Sequence, residues 1–325
     1  MGALGMASDL SLAARAGGRR AVFDFSGGVL PAGATLTRGS AGMRYAASGL
    51  LASEAADVAR FDHHPVSHAL RGLLIEEART NDYAYSGELE NGGWSPSAIA
   101  VTANAGISPD GSGNADLLVP STANSGHSIS RSATLTAGAG VVMSAFLKPA
   151  GYGFVQLYGN AGYSSFAWNI DLANASEAAF SAGSSVVTGR GIVPLGNGWL
   201  RAWIALTATT SGTAKIFAAV IASGAAARGS GFAGDGTSGV LAWGLQHEGG
   251  ASVTSHVATG ASAGTRAADA LVLDWGSRGV ADGAISVRYG FDDGSSQDVA
   301  TTVSGGVAAV PTTLARRWIL RAEKL

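Results

Sequence analysis

Apolar and polar residues alternate along most of this chain, and the alternation predicts strands. Ile99, Val101 and Ala103 fall at every second position. Val142, Ser144, Phe146 and Lys148 interleave with Met143, Ala145 and Leu147. Ile285, Val287, Tyr289 and Phe291 interleave with Ser286, Arg288 and Gly290. Side chains on a strand point to opposite faces in turn, so a period of two marks a half-buried sheet. Further strands are expected over 154–158, 165–172, 199–207, 215–221 and 240–247, with a C-terminal one over 318–321. Clusters of Gly, Asn and Ser separate them. Many short strands between turn signals predict an all-β protein, and no long 3.6-residue period interrupts them. The one helical expectation is a short turn capped by Ser8 through Leu10, Leu12 and Ala14.

Composition narrows the classes. Of 325 residues, 48 are Gly and only 14% are charged, which suits tight β packing and subunit contacts. A net charge of -2 argues against nucleic-acid binding, which needs clustered Lys and Arg. The absence of Cys removes disulfides, thiolate metal sites and Cys nucleophiles together. No run of about 18 apolar residues exists, so no membrane insertion is expected.

The densest run of committed residue types is Gly72-Leu73-Leu74-Ile75-Glu76-Glu77-Ala78-Arg79-Thr80-Asn81. Before it the text is irregular and polar; after it short β-like runs begin. The run reads as a structural joint. Adjacent carboxylates on a strand face opposite ways, so Glu76 and Glu77 would not flank one bond as glycoside hydrolysis requires. Arg79 suits a carboxylate partner and Asn81 a backbone one. Asp62, His63, His64 and His68 form the only His cluster. Imidazole is a common metal ligand, but a loop accounts for them more simply.

"GLLIEEARTN" (72–81), preceded by "ADVARFDHHP" (56–65), resembles a segment of tailed-bacteriophage fibre, spike and tail proteins. The resemblance continues through Trp94, 107–111, Ala115-Asp116, "LAWGLQHEGGASVTSHVATG" (241–260) and Thr265-Arg266-Ala267-Ala268-Asp269. It covers about residues 20 to 270. It implies an antiparallel jelly-roll-like β-sandwich similar to carbohydrate-binding modules. The expected order is an irregular N-terminal attachment arm or connector (1–85), the sandwich (86–268) and a small C-terminal β-unit (269–325). Modules of this kind often carry a structural calcium, for which Asp110, Asn114 and Asp116 offer oxygen donors; a plain turn accounts for the same residues.

Aromatic rings are the candidate ligand contacts, because sugar C–H faces stack on them while polar neighbours bond the hydroxyls. Trp168, Trp203, Tyr158 and Tyr163 are the aromatic candidates. Arg201 shares strand parity with Trp203 and Trp199. The expected function is a non-catalytic virion fibre or spike subunit that binds host-surface glycan. It would act as a homo-oligomer, a trimer by resemblance, joined to other phage head or tail proteins through the arm. A purely structural head or tail decoration or adaptor is the alternative, and a glycan depolymerase the third reading. No nucleophile elbow, phosphate loop or metal motif supports catalysis.

Overall fold

A computed structural model of the chain describes residues 21–325; the expected helix at Ser8 lies outside them. The protein is all-β, built from antiparallel sheets, with three short 3-10 turns as its only helical elements among the described residues. No helix there is long and apolar enough to cross a membrane.

Two six-stranded sheets form a sandwich. Sheet I runs Val186–Pro194, Leu200–Thr207, Gly140–Ala150, Gly239–Gly249, Ala115–Pro120 and Ile99–Gly106 in spatial order. Sheet II runs Ser176–Ser181, Ala167–Asp171, Phe154–Gly159, Gly212–Ile221, His127–Leu135 and Ser95–Ser97. The period of two assigns the core. Met143, Ala145, Leu147, Leu200, Ala202, Ile204 and Leu206 of sheet I meet Val155, Leu157, Trp168, Ile170, Ile216 and Ala218 of sheet II. Sheet I is unusual in being buried on its outer face too. There Phe146, Trp199 and Trp243 pack against Leu51 and half-buried Tyr45, which belong to the N-terminal part of the chain.

That N-terminal part is where the expected organisation changes. Within the expected irregular arm or connector (1–85), residues 21–81 form paired strands, and the expected C-terminal unit (269–325) pairs with them instead of standing alone. Val22–Asp24 pairs along the last strand, Trp318–Lys324, with Phe23 opposite Ala322. Leu70–Leu74 pairs with the same strand, and Ala34–Thr37 pairs with Ala270–Asp274. Phe23, Phe25, Leu36, Leu73 and Ile75 share one core with Leu271, Trp275, Val287, Tyr289, Phe291 and Ile319. The physical reason is burial. The two segments place their apolar residues in one core, and each covers the other's face. The sandwich is thus inserted between the two halves of a second β-unit. The junction is a two-stranded ribbon, Arg79–Asn81 against Gly264–Arg266.

Candidate functional site

The joint is held by buried charge. Arg60 donates to Glu76 at 2.8 Å and to Asp269 at 2.5 Å. Arg38 reaches Asp269 at 3.0 Å, and Arg317 reaches Glu76 at 2.8 Å. Arg266 lies 3.5 Å from Glu76. The Ser255 hydroxyl donates to Glu76, and the Glu76 backbone N–H donates to Asp269. Burial raises the Glu76 carboxyl, but Arg266, Arg60 and Arg317 outweigh it and hold it well below the usual range. Three of the phrases that carry the phage resemblance, 56–65, 72–81 and 265–269, therefore meet in one ionic network. Glu77 points away from it and pairs with Arg79. Asn81, fully buried, donates to the carbonyls of Leu245 and Val257 and accepts from the backbone of Tyr83 and His247.

Beside this network, between the outer face of sheet I and the second β-unit, lies a cavity of about 370 Å³. That is near the lower end of the roughly 300–1,000 Å³ of small-molecule sites. Arg201 and Trp203, expected together from their parity, line it from the strand Leu200–Thr207. Tyr45, Asp62, Arg71, Arg317 and Trp318 line it from the other unit, and Thr254, Ser255 and His256 from the loop that follows sheet I.

The platform is Trp203. Its indole lies on the edge strand Val186–Pro194, above glycine backbone. A Cβ on Gly191 would sit 2.7 Å from Trp203 Nε1, and one on Gly189 would sit 3.3 Å from its ring. Two glycines in a strand weaken it, and their use here is close approach by an aromatic ring. Trp318 is already engaged. Arg71 stacks on it at 3.2 Å from the ring centroid, and its Nε1 donates to Asp62 at 2.7 Å.

The polar lining is incompletely paired. Arg201 is 7% exposed. Its Nη atoms donate to the Thr254 carbonyl and the Ser144 hydroxyl, and its Nε has no partner. Both ring nitrogens of buried His256 and the hydroxyl of Tyr45 also lack partners. Burial pushes the Tyr45 hydroxyl up to about 12, so it stays a donor at neutral pH. Burial, then the charge of Arg201, pushes His256 down to about 3, so its imidazole is neutral. Buried polar groups are normally hydrogen-bonded, and a cluster of exceptions calls for a reason.

The other expected contacts are placed elsewhere. Trp168 is core, facing the opposite sheet, so it is not a surface platform. Tyr163 is core too; its hydroxyl bonds His247 Nε2 at 2.7 Å, whose Nδ1 meets Asp82 at 2.8 Å. Tyr158 lies on the outer face of sheet II, stacked on Phe217 with ring centroids 4.6 Å apart. Strand parity put Phe166 and Trp168 on one face but could not say which face was inside.

The calcium donors are not brought together. Asp110 accepts from the Ser108 and Ser112 hydroxyls within its own turn. Asp116 is buried and accepts the N–H groups of Leu89 and Asn104. Burial raises its carboxyl to about 6. The Asn114 side-chain oxygen joins neither. In the His cluster, His64 Nδ1 accepts from Val66 and Ser67 to close a turn, while Asp62 is taken by Tyr45 and Trp318. Among the described residues no three His, Asp or Glu side chains are placed to hold a metal ion.

Sequence reasoning missed Tyr45, His256 and Trp318. Trp318 falls in the expected C-terminal strand, and Tyr45 in the stretch before the joint that reads as irregular and polar. His256 lies in the phrase 241–260 that the resemblance already marked, and that was the one available signal. No protein-family model and no curated protein matches the chain.

Proposed function

We propose that this protein is a non-catalytic virion fibre or spike subunit that binds host-surface glycan. The virion setting rests on the sequence resemblance. The glycan rests on one observation: a Trp203 ring seated on glycine backbone, at a cavity whose lining residues carry unpaired buried donors. An aromatic face takes the C–H side of a sugar, and the donors take its oxygens. The carboxylates at the cavity support binding rather than hydrolysis. Glu76 is locked among arginines and Asp62 accepts two hydrogen bonds, so neither is placed as a proton donor to a glycosidic oxygen. Weak single sites on an oligomer would add through effective concentration.

The test is retention of labelled protein on an array of bacterial surface polysaccharides. Retention is expected for the wild type. It should be lost in Trp203→Ala and in Gly191→Ala, whose new methyl displaces the ring, with circular dichroism unchanged. No retention on any polysaccharide, or retention indifferent to both substitutions, would overturn the reading and favour a structural decoration protein.

A further inference from the structure

Five arginines line the cavity: Arg44, Arg71, Arg201, Arg316 and Arg317. Four of them have a carboxylate. Arg44 pairs with Glu54, Arg71 and Arg316 with Asp292, and Arg317 with Glu76. Among the described residues Arg201 has no carboxylate within ion-pair distance and feels Glu248 and Glu76 only from further off, although it is the most buried of the five. A guanidinium taken out of water without a counter-charge is costly, and proteins normally pair such a group. Here Thr254 and Ser144 give Arg201 only neutral acceptors, and both hold its Nη atoms. Arg201 lines the cavity, and its buried Nε–H has no partner.

Two further orphaned groups lie close enough to Arg201 to feel its charge. It opposes the burial-driven rise of Tyr45 and adds to the depression of His256. Tyr45 supplies one O–H donor. Neutral His256 supplies one N–H donor and one bare nitrogen acceptor. Arg201, Tyr45, His256 and Trp203 line the same cavity, so its walls carry two unpaired donors, a positive charge, a mixed donor–acceptor and an aromatic ring. Inorganic anions would use the charge but leave the ring and His256 unmatched. A neutral sugar would use the ring but leave Arg201 without its counter-ion.

We infer that the cavity takes a carboxylate-bearing sugar, a uronic or related acid within a surface polysaccharide, with the carboxylate on Arg201 Nε and the Tyr45 hydroxyl. The sugar ring lies on Trp203, and a ring hydroxyl meets His256. This rests on the glycan-binding reading above and narrows its substrate class. A charge-assisted hydrogen bond to the carboxylate is worth roughly tenfold to a hundredfold in affinity.

The experiment uses the full chain and two forms of each acidic polysaccharide retained on the array: native, and with carboxylates reduced to primary alcohols. Methyl glucuronide and methyl glucoside serve as the monosaccharide pair, read by saturation-transfer NMR. The native polymer is expected to bind roughly tenfold or more better than the reduced one. Tyr45→Phe, which removes only an unpartnered hydroxyl, and Arg201→Gln should each shrink that ratio toward one. Retention of neutral or phosphorylated polymers only, or an unchanged ratio in both variants, would overturn the acidic-sugar assignment while leaving glycan binding in place. No retention of any polymer would remove both.

Discussion

A paired arginine cluster and a single buried arginine without a direct ion pair lie side by side in this molecule. At the joint, Arg38, Arg60, Arg266 and Arg317 surround Glu76 and Asp269. In the adjoining cavity, Arg201 is buried with no carboxylate in direct contact among the described residues and feels Glu248 and Glu76 only from further off. The joint has its counter-ions within the chain, so its charge is spent on locking two halves of a β-unit around an inserted sandwich. Arg201 lacks a direct one, so its charge is available to something outside the chain. Burial alone does not separate structural from binding arginines; the identity of the partner does.

The largest expected effect breaks the joint. Glu76→Ala removes the carboxylate shared by Arg60, Arg266 and Arg317, leaving Arg60 with Asp269 and buried Arg266 with no paired carboxylate. Such losses cost about 3–5 kcal/mol, to be read as a lowered urea midpoint. A small loss would mean that the network is more hydrated than its burial indicates.

Next comes the pH response of the cavity. His256 is near 3 when folded, against an ordinary 6.5, chiefly through burial. Below about pH 6.5 the unfolded chain therefore binds a proton that the folded chain refuses, and stability falls as pH drops toward 3. Asp116 has the opposite sign. Its folded value, raised to about 6, favours the folded state at low pH and loses that advantage as pH rises through 6. The informative quantity is thus the difference between wild type and His256→Leu. Moving from about pH 7 to about pH 4.5 should cost the wild type about 2–3 kcal/mol more than the variant.

The outer face of sheet II gives a control for the cavity. It is also polar and aromatic, but its polar atoms are paired. Gln156 and Asn169 bond each other and the carbonyls of Gly224, Ala226 and Ala227, strapping the loop onto the sheet. Asn169→Ala should cost about 1–3 kcal/mol through the unpaired groups it leaves, with glycan retention unchanged. Arg201→Met should do the reverse. It removes a buried charge that has no direct ion pair, so stability should stay within about 1 kcal/mol of wild type or rise, while acidic-glycan retention is lost.

The sandwich was legible in the sequence because alternation reports directly on which side chains share a face. The strands expected at 99–103, 142–148, 199–207 and 240–247 all lie within observed strands or begin one residue before them. What alternation cannot report is which strands from distant parts of the chain pair. Phe23 opposite Ala322 closes a loop of almost the whole chain, and nothing local in Val22-Phe23-Asp24 signals it. The same limit applies to the cavity. Arg201 and Trp203 were visible as neighbours two residues apart. Tyr45 and Trp318 reach them only because the two ends of the chain fold together. Trp168 and Trp203 both looked like platforms, and only the packing of sheet on sheet places one inside and the other at a cavity.

The most direct test is a crystal of the full chain soaked with methyl glucuronide. The account expects density for the sugar against the Trp203 ring, its carboxylate at Arg201 Nε and the Tyr45 hydroxyl. Density at Tyr158 on sheet II, or a cavity left empty while the same protein binds the sugar in solution, would contradict it.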